Sequence, residues 1–525
     1  MKIGLKMLLG IVLLGAGSVP TVGQESLDSE LSQLLNKSLK NKNTAAEVVK
    51  PNNELSELLS EIDRNSEILA NTNSQHGAVN EIVKAIETRN PESVARFSIQ
   101  IDPMITRKEA ENSLQRYGLV PLEASEYFGV ISVGKLLGTS DTTPDTAAVG
   151  LSSSEVLDIL QNEPNFLSVI EEPVWAPMEF FAPELSLGPM PFGEDDALAL
   201  RHATVSQNSF DWGLENIGVA TTWDQPLAQQ GVSVGVLDIG FNFHQDLPLW
   251  GLANSAPVKD HGNHVAGILC AKHNGRGVNG VLPTCLVVPR TPIYSGLASY
   301  EGVRANTMVA VLNAFEEIIE NRDDIKAINV SLGYNWRKKV GRIELNDDEK
   351  QHIADTASQL LGLYKLAKER DIFIVTAAGN DSFQLDQKMN AVWSSPMNFA
   401  SRVFCTDLDL CNGVIVEAHD AMEKHADFSN IGGDLSCPGV DILSTVAHDI
   451  HERASSTDYA FMSGTSMASP YCAGGLVLTS LVRPNYSAPE IITCAKEAAR
   501  SVEGAFSAPA FDMLATLEHC PRRNN

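Results

Sequence analysis

The spacing of apolar residues changes twice along the chain, and each change predicts a different architecture. Between residues 25 and 92, Leu27, Leu31, Leu34 and Leu35, then Leu55, Leu58, Leu59 and Ile62, recur every three or four positions. That is the period of a helix with one apolar face. Asn-rich breaks at 41–43 and 71–73 divide the stretch. With few apolar positions and many polar ones, a loosely packed, partly disordered helical preamble is expected.

From 95 to 177 the period shortens. Phe97, Ile99 and Ile101 alternate as in a half-buried strand. A helix is expected to begin near Thr106, carrying Ala110 and Leu114, followed by strands at 120–122 and 128–133. After a turn-rich stretch at 138–144, Ser152 or Ser153 caps a second helix with Glu155 in its first turn and Val156, Leu157 and Leu160 on its apolar face. Residues 166–170 read as a fourth strand. The order β-α-β-β-α-β is the split βαβ arrangement. So small a module buries a modest core and is expected to lean on a partner surface.

Residues 178–209 lose all periodicity and carry prolines and the acidic run Glu194-Asp195-Asp196, as a linker with a processing site would. From about 210 onward, short continuous apolar runs alternate with helical patterns. Strands are expected at 232–237, 286–288, 325–331 and 372–377, and helices at 261–271, 308–319, 355–368 and 466–480. Such alternation predicts an α/β domain with a doubly wound, mostly parallel sheet. Chemistry in that architecture collects at the carboxyl ends of the strands.

Composition adds limits. Hydrophobic residues are 43% and charged residues 20% of the 525, as in folded globular proteins. The formal charge of −27 repels phosphate backbones, so nucleic acid is not an expected partner. Residues 1–23 have a short basic start, an apolar run and small residues near Gly23, the pattern of a secretory signal peptide. The expected address is therefore secreted or periplasmic, with no membrane span in the mature form. All eight cysteines lie between Cys270 and Cys520. In an exported chain they are compatible with disulfides, and Cys405 and Cys411 are close enough to close a small loop. Cys270 and Cys472, in apolar helix-like stretches, read equally well as buried free thiols.

Four segments place chemistry-bearing residues at strand ends or helix starts. Asp238 closes the strand Val234-Gly235-Val236-Leu237. His261 opens a helix in Asp260-His261-Gly262-Asn263-His264-Val265-Ala266-Gly267. Asn380 follows the strand and small residues of Ile374-Val375-Thr376-Ala377-Ala378-Gly379. Ser466 lies in Met462-Ser463-Gly464-Thr465-Ser466-Met467-Ala468-Ser469-Pro470 at a helix first turn, where Pro470 would be tolerated. Singly, each has an ordinary structural explanation, as a turn Asp, an N-cap Ser or an Asn turn. His261 and His264 lack the Glu between histidines that zinc helices carry. Together they form a set: a serine hydroxyl needs an imidazole to take its proton and a carboxylate to orient the imidazole.

The phrases Val-Leu-Asp-Ile-Gly, His-Gly-Asn-His-Val-Ala-Gly, Ala-Ala-Gly-Asn and Gly-Thr-Ser-Met-Ala-Ser-Pro resemble the signatures of the subtilisin-like serine peptidases over roughly residues 210–500. The order Asp, His, Ser along the chain is the one known for subtilisin itself. The resemblance implies Asp238, His261 and Ser466 as catalytic triad, and Asn380 with the Ser466 N–H as oxyanion hole. It implies substrate binding by Ser331, Leu332, Gly333, Ala378 and Gly379, with protein or peptide substrates and no cofactor in the chemistry. It also implies a structural calcium, with Asp246 and Asn274 as candidate ligands. Residues 93–177 resemble the family's inhibitory propeptide, which makes the chain's own propeptide a partner and places a self-cut between Ala176 and Arg201. The expected organisation is signal peptide 1–23, helical segment 24–92, propeptide 93–177, linker 178–209 and peptidase domain 210–525. Asn263 stands where the family usually has Thr, and 334–362 looks longer than the family's core. A non-cutting peptide binder and a small-molecule esterase are the rival readings. The absence of a Gly-x-Ser-x-Gly elbow around Ser466 disfavours the esterase.

Overall fold

The computed structural model describes residues 22–39, 50–71, 94–137, 152–172, 176–177, 211–251, 261–275, 277–292, 307–333, 342–383, 387–406, 411–446, 459–504 and 507–523. Residues 1–21 of the expected signal peptide, the turn-rich stretch at 138–144 and the linker from 178 lie outside these residues.

Two helices open the described chain, α1 (Val22–Leu39) and α2 (Asn53–Asn71). The split βαβ unit follows as expected: β1 (Val94–Ile101), α3 (Arg107–Arg116), β2 (Val120–Ser125), β3 (Val130–Leu136), α4 (Ser153–Gln161) and β4 (Phe166–Glu171). Its sheet order is β2-β3-β1-β4. Both helices begin in capping boxes, Thr106 with Glu109 and Ser152 with Glu155. Each cap satisfies orphan N–H groups and stabilises by about 1 kcal/mol. Phe97, Ile99 and Ile101 point into one core with Leu55, Leu58 and Leu59 of α2. The preamble is therefore packed over part of its length rather than loose as expected. Its leucines find apolar partners in elements remote in sequence, which spacing within the segment does not reveal.

A two-residue strand, β5 (Ala176–Pro177), precedes the larger body. There β6 (Val232–Leu237), α5 (His261–Cys270), β7 (Cys285–Arg290), α6 (Met308–Asn321), β8 (Ile325–Val330), β9 (Leu332–Gly333), α7 (Asp347–Glu369) and β10 (Phe373–Ala377) succeed one another. After them come α8 (Pro396–Phe404), β11 (Gly413–His419), β12 (Leu435–Pro438), β13 (Ile442–Thr445), β14 (Tyr459–Met462), α9 (Thr465–Val482) and α10 (Ala488–Ala498). Six strands pair in the order β12-β11-β10-β8-β6-β7, every pair parallel. The strands are apolar on both faces because helices cover both. One core contains residues of α5 and α9, the other those of α6, α7 and α8. The neighbours of β6 are β7 and β8, so the chain leaves it first to one side and then to the other. Its carboxyl end, where Asp238 sits, is the switch point of the sheet.

The split βαβ sheet rests on α6 and α7. Phe128, Val130 and Ile170 enter the same core as the leucines and isoleucines of those helices. Four disulfides join Cys270–Cys285, Cys405–Cys411, Cys437–Cys472 and Cys494–Cys520. The small Cys405–Cys411 loop is as expected. Cys270 and Cys472 are not free thiols, because helices α5 and α9 set them against Cys285 of β7 and Cys437 of β12. Pro470 also differs from expectation. It lies inside α9, beyond the first turn, where it removes the backbone bond that the Ser466 carbonyl would otherwise accept.

Candidate active site

Asp238 directly follows β6, and its carboxylate turns back to accept from the Ile239 N–H at 2.7 Å. The next two carbonyls do further work. Gly262 N–H donates to Ile239 O at 2.6 Å and Asn263 N–H to Gly240 O at 3.2 Å. These are first-turn donors of α5 that no helix can satisfy internally. The loop after Asp238 therefore caps the helix that begins with His261. A Cβ on Gly262 would stand 2.7 Å from the Ile239 carbonyl, so this close approach requires glycine.

The consequence is a buried pair. His261 Nδ1 lies 2.6 Å from Asp238 Oδ1, with the side chains 1% and 0% exposed. A neutral imidazole that donates Nδ1–H to a carboxylate carries its lone pair on Nε2. His264, one turn on, does something else. Its Nε2 faces the carbonyls of Ile442 at 2.9 Å and Ala460 at 3.0 Å, so it is an N–H donor joining α5 to the β13–β14 hairpin. Burial, with the charge of His261 nearby, pushes its pKa down to about 3. The two histidines bond in different directions and form no shared metal site.

Ser466 is fully buried in the first turn of α9, which packs against α5, β10 and β11. Its neighbour Thr465 fastens this turn to Asn380. The Asn380 Oδ1 accepts from Thr465 N at 3.0 Å and Thr465 Oγ1 at 2.9 Å. The Gly379 N–H is held by Thr465 Oγ1 at 3.0 Å. The Asn380 side chain is thereby oriented by its oxygen, with the amide nitrogen at the opposite end of the group. Gly379 takes φ of 97°, and a Cβ there would meet Asn430 Nδ2 at 2.5 Å. Asn430 in turn donates to Ala378 O at 3.0 Å and accepts from Asp381 N at 3.1 Å, fixing both sides of the turn.

Ser331 follows β8, with its hydroxyl 3.3 Å from that of Ser469, one turn beyond Ser466. Leu332 and Gly333 form β9, against which Pro177 and Ala176 pair antiparallel. The expected site residues Asp238, His261, Ser331, Leu332, Gly333, Ala378, Gly379, Asn380 and Ser466 thus gather around the carboxyl ends of β6, β8 and β10 and the start of α9. Thr465 and Asn430 escaped the sequence reading. The first lay inside the Gly-Thr-Ser-Met phrase and was legible there; the second stands in no motif.

Asp246 and Asn274, the candidate calcium ligands, also meet. Asn274 Nδ2 donates to Asp246 Oδ1 at 2.8 Å, and the Tyr459 hydroxyl donates to Oδ2 at 3.3 Å. The Lys272 ammonium takes the Gln245 carbonyl at 2.7 Å. Burial pushes the Asp246 carboxyl up to about 6. Calcium asks for six or more converging oxygens; here the one carboxylate, that of Asp246, accepts from Asn274 and Tyr459. Among the described residues no group of three or more His, Cys, Asp or Glu is arranged to hold a metal.

A parallel α/β sheet with a buried carboxylate–imidazole pair at its switch point, on a helix packed against one whose first turn carries a serine, is the arrangement of the subtilisin-like serine peptidases. The sequence model of the Subtilase family matches residues 229–510, and the chain belongs to that family. It is 28% identical to the minor extracellular protease Epr of Bacillus subtilis (strain 168) over 293 residues, 54% of this chain and 37% of that protein. It is 27% identical to subtilisin BL of Lederbergia lenta over 310 residues, 56% of this chain and 93% of that one. An extracellular protease of Xanthomonas campestris pv. campestris is 26% identical over 438 residues, 74% of this chain and 65% of the relative. The crystal structure of fervidolysin from Fervidobacterium pennivorans superposes with a TM-score of 0.55 at 18% identity, covering 81% of this chain and 61% of that one. That likeness concerns the fold alone.

Proposed function

We propose that the chain is a secreted serine endopeptidase made as a self-processing zymogen. The observation that carries this reading is the buried contact of His261 Nδ1 with Asp238 Oδ1 at 2.6 Å, on the helix that packs against α9. In the proposed reaction the Ser466 hydroxyl attacks the scissile carbonyl. Its proton passes to His261 Nε2, and from there to the leaving amine. Asp238 holds the imidazole in the tautomer that can accept. Asn380 and the Ser466 backbone N–H stabilise the tetrahedral oxyanion, each donor contributing roughly 3–4 kcal/mol. Water then repeats the sequence on the acyl-enzyme. The edge Ser331-Leu332-Gly333 takes an extended peptide by backbone pairing.

The domain organisation follows from the same reading. Residues 93–177 are the inhibitory propeptide, and the pairing of Ala176–Pro177 with β9 supports a tail lying in the cleft as a substrate would. Secretion is supported by the leader pattern at 1–23 and by extracellular relatives. No helix among the described residues is long and apolar enough to cross a membrane.

A fluorophosphonate probe and casein test the reading. The wild-type chain is expected to cut itself, digest casein and carry the label on Ser466. Ser466→Ala is expected to stay full length, inert and unlabelled. Self-cleavage and casein digestion by Ser466→Ala at the wild-type rate would overturn it.

A further inference from the structure

Helices α1 and α2 are neighbours in the chain but dock on different bodies. The α2 helix belongs to the βαβ unit. Leu55 and Leu59 are fully buried in its core. The Asn52 amide donates to the carbonyls of Pro103 at 3.1 Å and Ile105 at 2.6 Å, and Glu61 pairs with Arg107 at 2.8 Å. The α1 helix lies instead on α7 and α8 of the larger body. Leu31 is 2% exposed there, with Leu27, Leu34 and Leu35 packed around the same core.

Polar groups fix the register of α1. Glu30 pairs with Lys350 at 2.6 Å, and the Ser38 hydroxyl donates to Asp355 Oδ1 at 2.6 Å. Gln351 Nε2 donates to Ser38 Oγ at 2.9 Å. One turn further along α7, Gln359 accepts from the Ser98 hydroxyl of β1 at 2.8 Å and donates to Ser168 Oγ of β4 at 3.2 Å. Positions 351, 355 and 359 form one stripe of α7. Its first part holds α1 and its last part holds the βαβ sheet.

We propose that α1 is a second anchor of the prosegment, a clamp that keeps the propeptide seated on the peptidase domain after the junction beyond β5 is cut. This rests on the zymogen reading above. A cut at that junction leaves α1, α2 and the βαβ unit on one fragment, gripping α7 at two places. Release of one grip leaves the other holding the fragment at high local concentration, which slows loss of both together. Full activity then requires the clamp to let go, as well as the bond to break.

The test uses the full-length chain. Leu31→Asp removes the apolar footing, and Lys350→Glu breaks the pair with Glu30. The double exchange Glu30→Lys with Lys350→Glu restores the pair in reverse. After self-cleavage of the wild type, the prosegment is expected to co-elute with the peptidase domain and activity to emerge after a lag. In Leu31→Asp the fragment should separate and the lag shorten by about 10-fold or more. Lys350→Glu should shorten it less, and the double exchange should return it toward wild type. Unchanged co-elution and lag in Leu31→Asp would overturn the clamp. In the uncut Ser466→Ala chain, amide exchange along residues 350–359 should quicken on adding Leu31→Asp; identical exchange also counts against the proposal. A wild-type chain that never cuts itself would sink the zymogen reading, and the exchange comparison would still decide the clamp.

Discussion

His264 donates its Nε2–H to the Ile442 carbonyl at 2.9 Å and shares it with Ala460 O at 3.0 Å. The helix that opens with His261 is thereby tied to the hairpin that leads into α9. A protonated His264 would gain a charge with no solvent around it, and burial holds its pKa down to about 3. The unfolded chain binds a proton near 6.5. Stability from keeping this ring neutral is therefore complete above pH 6.5 and is lost as pH falls toward 3, by a few kcal/mol. Urea unfolding of the Ser466→Ala chain, which cannot digest itself, is expected to show a midpoint that falls across that window. Adding His264→Gln should flatten part of the fall and lower the midpoint at pH 7.5. A fall of the same depth in both proteins would remove His264 from the account.

Asp238 and Asn380 were legible because the strands before them, β6 and β10, are buried on both faces and read as unbroken apolar runs, whereas His261 and Ser466 were legible because short-range motifs encode their turns. The βαβ unit was legible for a related reason: its caps, Thr106 with Glu109 and Ser152 with Glu155, are local chemistry. Contacts made over long sequence separations were hidden. Nothing near Ser38 announces Asp355, and nothing near Ile442 announces the strand Tyr459–Met462 that pairs with it. Cysteine pairing is of the same kind, since Cys437 and Cys472 meet only once α9 lies on β12.

That pairing carries a prediction. The Cys437–Cys472 bond closes a sequence separation of 35 residues and joins α9, the helix of Ser466, to the sheet edge. Loop-closure entropy assigns it about 3–4 kcal/mol. A Cys437→Ser, Cys472→Ser chain is expected to lose about that much unfolding free energy and so to unfold at a lower denaturant concentration, with activity lost at a lower temperature. Thiol titration of the denatured wild type should find no free cysteine; finding free thiols would contradict the four pairings.

Asn380 is held through its carbonyl oxygen by Thr465. Asn380→Ala removes the donor end together with the oxygen that accepts from the Thr465 N–H. In steady-state assays on a peptide amide, kcat is expected to fall about 10²–10³-fold with KM nearly unchanged, since the oxyanion exists only after attack. Thr465→Val should lower kcat less, by loosening the Asn380 side chain. A rise in KM at constant kcat would instead assign Asn380 to ground-state binding.

The pairing of Ala176 with Gly333 and Pro177 with Leu332 bears on where the zymogen opens. In an antiparallel ladder each step forward along the tail is a step back along the edge. From Leu332 that step leads to Ser331, whose hydroxyl lies 3.3 Å from that of Ser469, a turn from Ser466 on the same helix. The bond presented to Ser466 should accordingly fall within the first few residues after Pro177, far from Arg201. Mass spectrometry of the N-terminus formed in the first minutes of self-cleavage is expected to find it there, with later trimming appearing as shorter species. A first product that begins near Arg201 would mean that the tail is held in this edge without being cut there, as an inhibitor is.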